Sequence, residues 1–196
     1  MKKSIIVIAI VAVVAFATFV WVKNTYNRLV QSEEGVTAAW AQVENVYQRR
    51  ADLIPNLVAT VKGYAAHESE TLEAVAAARA NATKVTVSPD QLDEESIAVF
   101  QSAQNQLTGA LGRLIAIAES YPELKANQNF SELQAQLEGT ENRIAVERQK
   151  FNEEALAYNR QVRVFPDNII ASIFGLRAKG YFKASEGAEN APKVEF

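Results

Sequence analysis

From Ser4 to Val22 the chain carries no charged side chain, and beyond it apolar or small residues recur at alternating three- and four-residue steps as far as Phe165. The first pattern predicts a helix in lipid. Nineteen residues rising about 1.5 Å each span roughly 28 Å, close to the hydrocarbon thickness of a bilayer. Lys2 and Lys3 precede the run, Lys23 follows it, and Trp21 stands where an interfacial aromatic belongs. Residues 1–3 then form a short tail and 4–22 a transmembrane anchor. A cleaved signal peptide is the rival reading, since Ala15-Phe16-Ala17 has the small-x-small spacing of a cleavage site. The apolar run continues five residues past Ala17 without a polar break, which favours a retained anchor.

The second pattern predicts helices with apolar seams over residues 23–163. One seam follows Tyr26, Leu29 or Val30, Val36, Trp40, Val43, Tyr47 and Ile54. Others run from Val58 to Ala82, from Ile97 to Tyr121 and from Phe130 to Phe165. No stretch sustains period-two alternation, so no sheet is expected. Ser88-Pro89-Asp90 and Tyr121-Pro122 punctuate two junctions. The third is placed at Pro55, with Asp52 as a candidate cap, because proline lacks the N–H an interior helical position donates. Breaking there gives four segments of about 28 to 35 residues, suited to an up-and-down four-helix bundle. A continuous, kinked helix through Pro55 is the alternative, because the seam keeps its phase across it. The expected fold is therefore all-α: one transmembrane helix, a four-helix bundle and a short apolar C-terminal helix.

Four antiparallel segments return the chain to the membrane end, where Phe165-Pro166 leads into Ile169, Ile170, Ile173 and Phe174, with Arg177, Lys179 and Lys183 beyond. Residues 164–184 are read first as a cap on the open end of the bundle or a contact with a neighbouring subunit. The alternative is an interfacial segment touching lipid. Residues 185–196 read as a flexible polar tail.

Composition narrows the chemistry. The chain has no Cys, one His and one Met among 196 residues, which excludes disulfides, cysteine-zinc sites, thiol nucleophiles and two-His metal sites. Twenty-three acidic against 20 basic side chains give a net charge of −3, the wrong balance for nucleic acid. His67-Glu68 lacks the second His, four residues on, of a zinc protease. Glu68, Glu70 and Glu73 read as a solvated acidic face rather than a cation site. No catalytic residue, cofactor or metal is expected. The polar residues that interrupt the seams are Glu33, Arg50, Glu68, Arg79, Gln104 and Arg148. A charge facing a core is costly unless paired, so Arg50 or Arg79 is expected to pair with Glu68 or Glu33 on a neighbouring helix. Each could instead lie at a seam edge and reach water.

The chain resembles the LemA family of bacterial membrane-anchored proteins. The resemblance rests on Tyr26-Asn27-Arg28-Leu29-Val30, Ala39-Trp40, Arg49 to Val58, Val61 to Glu68, Ala78-Arg79-Ala80, Ala118 to Asn127, Glu138 to Ile144, and Tyr158-Asn159 through Phe165-Pro166. It implies a single N-terminal membrane segment and an up-and-down four-helix bundle. It also implies a TPM-domain membrane protein as a partner, since genes for such proteins often neighbour those of the family. It supplies no catalytic residue.

The functional expectation is a non-enzymatic, membrane-anchored scaffold or assembly factor of the bacterial cell envelope, acting through self-association or contact with protein and lipid. A membrane-tethered adaptor or accessory subunit is the second reading, and a ligand- or metal-binding bundle the third. The positive charge flanking the anchor exceeds by one on the N-terminal side, placing the bundle outside the cytoplasm at the inner membrane. Gly109 and Gly112, beside Leu111 and Leu114, are a weak hint of close helix approach.

Overall fold

The computed structural model describes residues 2–184; the tail expected at 185–196 lies outside them. Among the described residues the chain is all-α. Its helices are α1 (Lys2–Tyr64), α2 (Ser69–Lys84), α3 (Glu94–Ala118), α4 (Pro122–Lys125), α5 (Gln128–Arg163) and α6 (Asp167–Phe174), with a 3-10 turn at Pro89–Gln91.

Helix α1 has 63 residues and is about 95 Å long. It begins at Lys2, so most of the expected N-terminal tail is already helical. Ser4–Phe19 is exposed all round, with an 18-residue window of mean hydropathy 3.0 and none of it buried. From Thr25 onward one face goes into the core through Leu29, Val36, Trp40, Val43, Ile54, Leu57 and Val61.

The expected break at Pro55 does not occur. Helix α1 runs through it to Tyr64, and the chain reverses over residues 65–68. Pro55 cannot donate to the carbonyl of Ala51, four residues back. That carbonyl instead accepts from Nε of Arg79 on α2, at 2.8 Å. A side chain from the next helix thus satisfies the group that proline orphans, and the helix continues. Asp52 consequently caps nothing; it is exposed and accepts from Gln48 at 2.8 Å.

Side-chain bridges fix the direction of each helix. At the far end Asn127 donates to Tyr64 and Tyr121 to Glu68. At mid-height Arg50 of α1 reaches Gln104 and Thr108 of α3 and Glu141 of α5. At the base, near the exposed apolar segment, Arg28 pairs with Asp167. The bundle portion of α1, then α2, α3 and α5 therefore alternate up and down. Their lengths are unequal, because the turn moved beyond Pro55 leaves α2 only 16 residues against 36 for α5. Ser88 precedes the 3-10 turn, while Asp93 caps α3 by accepting from the Ser96 N–H at 2.8 Å. Asn127 caps α5 in the same way, accepting from Phe130 at 3.0 Å.

The short α2 divides the core in two. In the far half α2 supplies Leu72 and Val75, which pack with Ile54, Leu107, Leu114, Leu124 and Leu137. In the near half, where α2 is missing, Val87 and Leu92 of the α2–α3 connection and Phe182 of the C-terminal segment close the core around Trp40, Phe100 and Phe151.

Candidate functional site

The segment after α6 is an extended strap over residues 176–183, and it enters the bundle by way of Gly175, whose φ of 72° closes α6 in the left-handed conformation. A strap with no neighbouring strand leaves its backbone polar groups to be satisfied by side chains. Three amides do this. Asn159 accepts from the Lys179 N–H at 2.7 Å and donates to its carbonyl at 2.8 Å. Asn152 holds Phe182 in the same two-way grip, both bonds 2.9 Å. Gln101 does so for Lys183, at 2.8 and 3.2 Å. Gly180 donates to the Leu92 carbonyl at 2.8 Å. It lies so close to α3 that a Cβ there would stand 2.7 Å from backbone atoms of Asp93 and Glu94.

The grip delivers Phe182 into an aromatic cage. Its ring stacks on Trp40 at 5.8 Å and meets Phe151 edge-on at 5.6 Å, while the Arg148 guanidinium covers it at 4.7 Å. Trp40 is fully buried and donates from Nε1 to the Val87 carbonyl at 3.1 Å. Lys179 pairs with Glu33 at 2.6 Å. Beside it the buried Tyr158 hydroxyl faces the Glu33 carboxylate without a well-formed hydrogen bond. Burial, then the Glu33 carboxylate, pushes that phenol far above its ordinary range.

Arg50 is the second polar centre. Its side chain is 1% exposed, and it bridges three helices. Nη1 donates to Glu141 at 2.7 Å and Thr108 at 2.8 Å, and Nη2 to Gln104 Oε1 at 2.6 Å. Gln104 turns its amide to the Ala82 carbonyl at 3.2 Å. The expected pairing of Arg50 or Arg79 with Glu68 or Glu33 is not what forms. Arg50 takes Glu141, Arg79 takes the carbonyl opposite Pro55, Glu33 takes Lys179, and Glu68 accepts from Tyr121 at 3.0 Å. Four seams carry enough acids that spacing alone could not choose among partners.

The third feature is α6. Ile170 and Ala171 are buried against the bundle, and Phe174 lies on Tyr26 with ring centroids 4.5 Å apart. Ile169, Ile173 and Phe165 remain exposed, Phe165 at 75%. Phe165 and the half-buried Pro166, joined by a cis peptide bond, make the turn from α5. Sequence reasoning does not single out Gln101, Asn152 or Phe182, and it meets Asn159 and Glu141 only within the stretches that carry the family resemblance; Lys179, expected only as one of the basic residues beyond the apolar segment, pairs instead with Glu33. The seven-residue spacing of Asn152 and Asn159 on the core side of α5 was the available signal.

Among the described residues no group of three or more His, Asp or Glu side chains could hold a metal. His67 is exposed, as are Glu70 and Glu73. The chain is 27% identical over 197 residues to Magnetosome protein MamQ 1 of Paramagnetospirillum magneticum, covering 92% of this chain and 72% of that one. MamQ of Magnetospirillum gryphiswaldense matches to the same extent. Protein LemA of Metamycoplasma hominis is 23% identical over 185 residues, covering 94% of this chain and 80% of that one. The LemA family model matches residues 39–196, spanning the Arg50 centre, the Arg79–Ala51 bridge and the strap: the chain belongs to the LemA family.

Proposed function

We propose that this is a single-pass, inner-membrane protein whose bundle stands outside the cytoplasm as a scaffold or assembly factor, joining copies of itself or other envelope proteins. The observation that carries the reading is the division of α1. Its first part exposes Ile5, Ile8, Val13, Phe16 and Phe19 at 64–70%, which water would penalise heavily, while the same helix continues as a wall of the bundle. Such a helix couples the bundle rigidly to a bilayer. The interior supports the same role. The Arg50 guanidinium ties three helices together, and the Gln101, Asn152 and Asn159 amides tie the strap to them.

Similarity to proteins named for the magnetosome, and to a LemA protein, favours work within a larger cellular assembly. Candidate partners are membrane lipid, a second copy and an envelope protein such as a TPM-domain membrane protein. The runner-up, an adaptor or accessory subunit of an envelope complex, would share the anchor but act as a monomer on one partner.

The native chain contains no Cys, so single cysteines can be read without background. With Val146→Cys, on an exposed part of α5, a membrane-impermeant maleimide should label intact bacterial spheroplasts as fully as lysed ones. Labelling only after lysis would put the bundle in the cytoplasm and refute the proposed orientation.

A further inference from the structure

The outer face of α6 has an apolar stripe at the place where α1 leaves its exposed apolar segment. We infer that this stripe lies in the membrane interface and sets the bundle down on the lipid surface; this rests on the membrane-spanning reading of α1.

Position comes first. Val22, the last residue of the apolar run, already packs on the near core, so no stalk separates bundle from span. Helix α6 has eight residues and is about 12 Å long. Its first residue, Asp167, pairs with Arg28, and its last, Phe174, rests on Tyr26. Two residues of α1 advance only about 3 Å. Both ends of the roughly 12 Å helix are thus tied to one short stretch of α1 rather than spread along it, which favours a helix lying across the bundle end. That orientation is parallel to the plane of a bilayer crossed by α1.

The faces of α6 agree. At about 100° per residue, Asp167, Ile170, Ala171 and Phe174 form the side turned to the bundle, where Ile170 and Ala171 are buried and Phe174, packed on Tyr26, stays half exposed at its edge. Ile169 and Ile173 form a second side, exposed at 47% and 69%, and Asn168 and Ser172 a third, also exposed. A helix lying in an interface beside a protein needs these three sides, facing protein, lipid and water. Capping alone accounts for the first and leaves the isoleucines in water. Val164 and Phe165, exposed at 51% and 75%, extend the apolar stripe. Arg163 and Arg177 flank this segment in sequence and Lys23 follows the apolar run of α1, all three exposed, as suits anionic headgroups.

The test uses the full chain reconstituted in vesicles of phosphatidylethanolamine and phosphatidylglycerol, with spin labels on single cysteines at Val13→Cys, Ile173→Cys, Ser172→Cys and Val146→Cys. Accessibility is measured to oxygen, which partitions into lipid, and to a nickel chelate, which stays in water. Val146 is about 25 Å along α5 from its base end and serves as the aqueous reference. The expected ratio of oxygen to nickel accessibility at 173 is several-fold above that at 146 and at 172, and below that at 13. If 173 matches 146 while 13 reads as lipid, α6 stands in water and the inference falls alone. If 173 is shielded from both reagents, a protein surface covers it and the inference is likewise overturned. If 13 itself reads as water, the membrane-spanning reading fails and takes the inference with it.

Discussion

Removing Arg79 should matter only because residue 55 is proline. The Ala51 carbonyl is denied its helical donor by Pro55 and accepts instead from Arg79 Nε at 2.8 Å. A hydrogen bond from a charged donor contributes about 1.5–3 kcal/mol, and the half-exposed setting of Arg79 puts this one near the lower end. Arg79→Ala should therefore cost about 1–2 kcal/mol, or a few degrees in Tm for a chain of this size. Pro55→Ala restores an N–H beneath Ala51 and removes a residue worth about 3 kcal/mol less than alanine inside a helix, part of which Arg79 already offsets. It should stabilise the protein by about 1–2 kcal/mol. In that background the carbonyl has its own helical donor, and Arg79→Ala should then cost about 0.5 kcal/mol or less. The coupling between the two substitutions is thus about 1 kcal/mol. Denaturant unfolding of the four full-length proteins in mild detergent, followed by far-UV circular dichroism, measures it. An equal cost for Arg79→Ala in both backgrounds would refute the explanation of why α1 survives its proline.

Arg50→Ala should destabilise by about 2–4 kcal/mol, because it leaves a void among three helices and the buried Gln104 oxygen without its donor, while Glu141, 37% exposed, turns to water, whereas Lys62→Ala, on the exposed last turn of α1, should stay within about 0.5 kcal/mol; similar thermal melts for the two would reject the buried role. Phe182→Ala empties the cage around Trp40 and should cost about 3–5 kcal/mol. Gly180→Ala, which would drive a Cβ into the α3 backbone, should expose residues 176–183 to amide exchange while leaving exchange in the far half of the bundle unchanged. Tyr158 titrates higher folded than unfolded, so its contribution is fully present below about pH 10 and is lost as pH rises above that value. Tyr158→Phe should thus flatten the alkaline loss of stability.

The helical class, the apolar span and most of the core were legible because each is a periodicity: Leu29, Val36, Trp40, Ile97, Leu107, Leu114, Phe151 and Tyr158 all lie on their seams and are all buried. Pro55 was misplaced as a break because the propensity of a residue is local, while the donor that rescues its neighbour comes from another helix. The unbroken seam phase across it was the better guide. Arg50 was legible as a buried charge but its acid was not, since partner choice depends on how helices are rotated about one another. The strap was hidden for a different reason: an extended segment gripped by amide side chains has no period. Only the polar residues on the opposing helix faces, Gln101, Asn152 and Asn159, betray that something other than a helix lies there.

Whether the membrane-mounted bundle works by assembling with other molecules is read from the mass of the full chain taken from native membranes in lipid nanodiscs without prior detergent exposure. The expected mass is a defined multiple of the chain or that of a stoichiometric complex with another envelope protein. A strict monomer with no protein companion, at the density found in the native membrane, would contradict it.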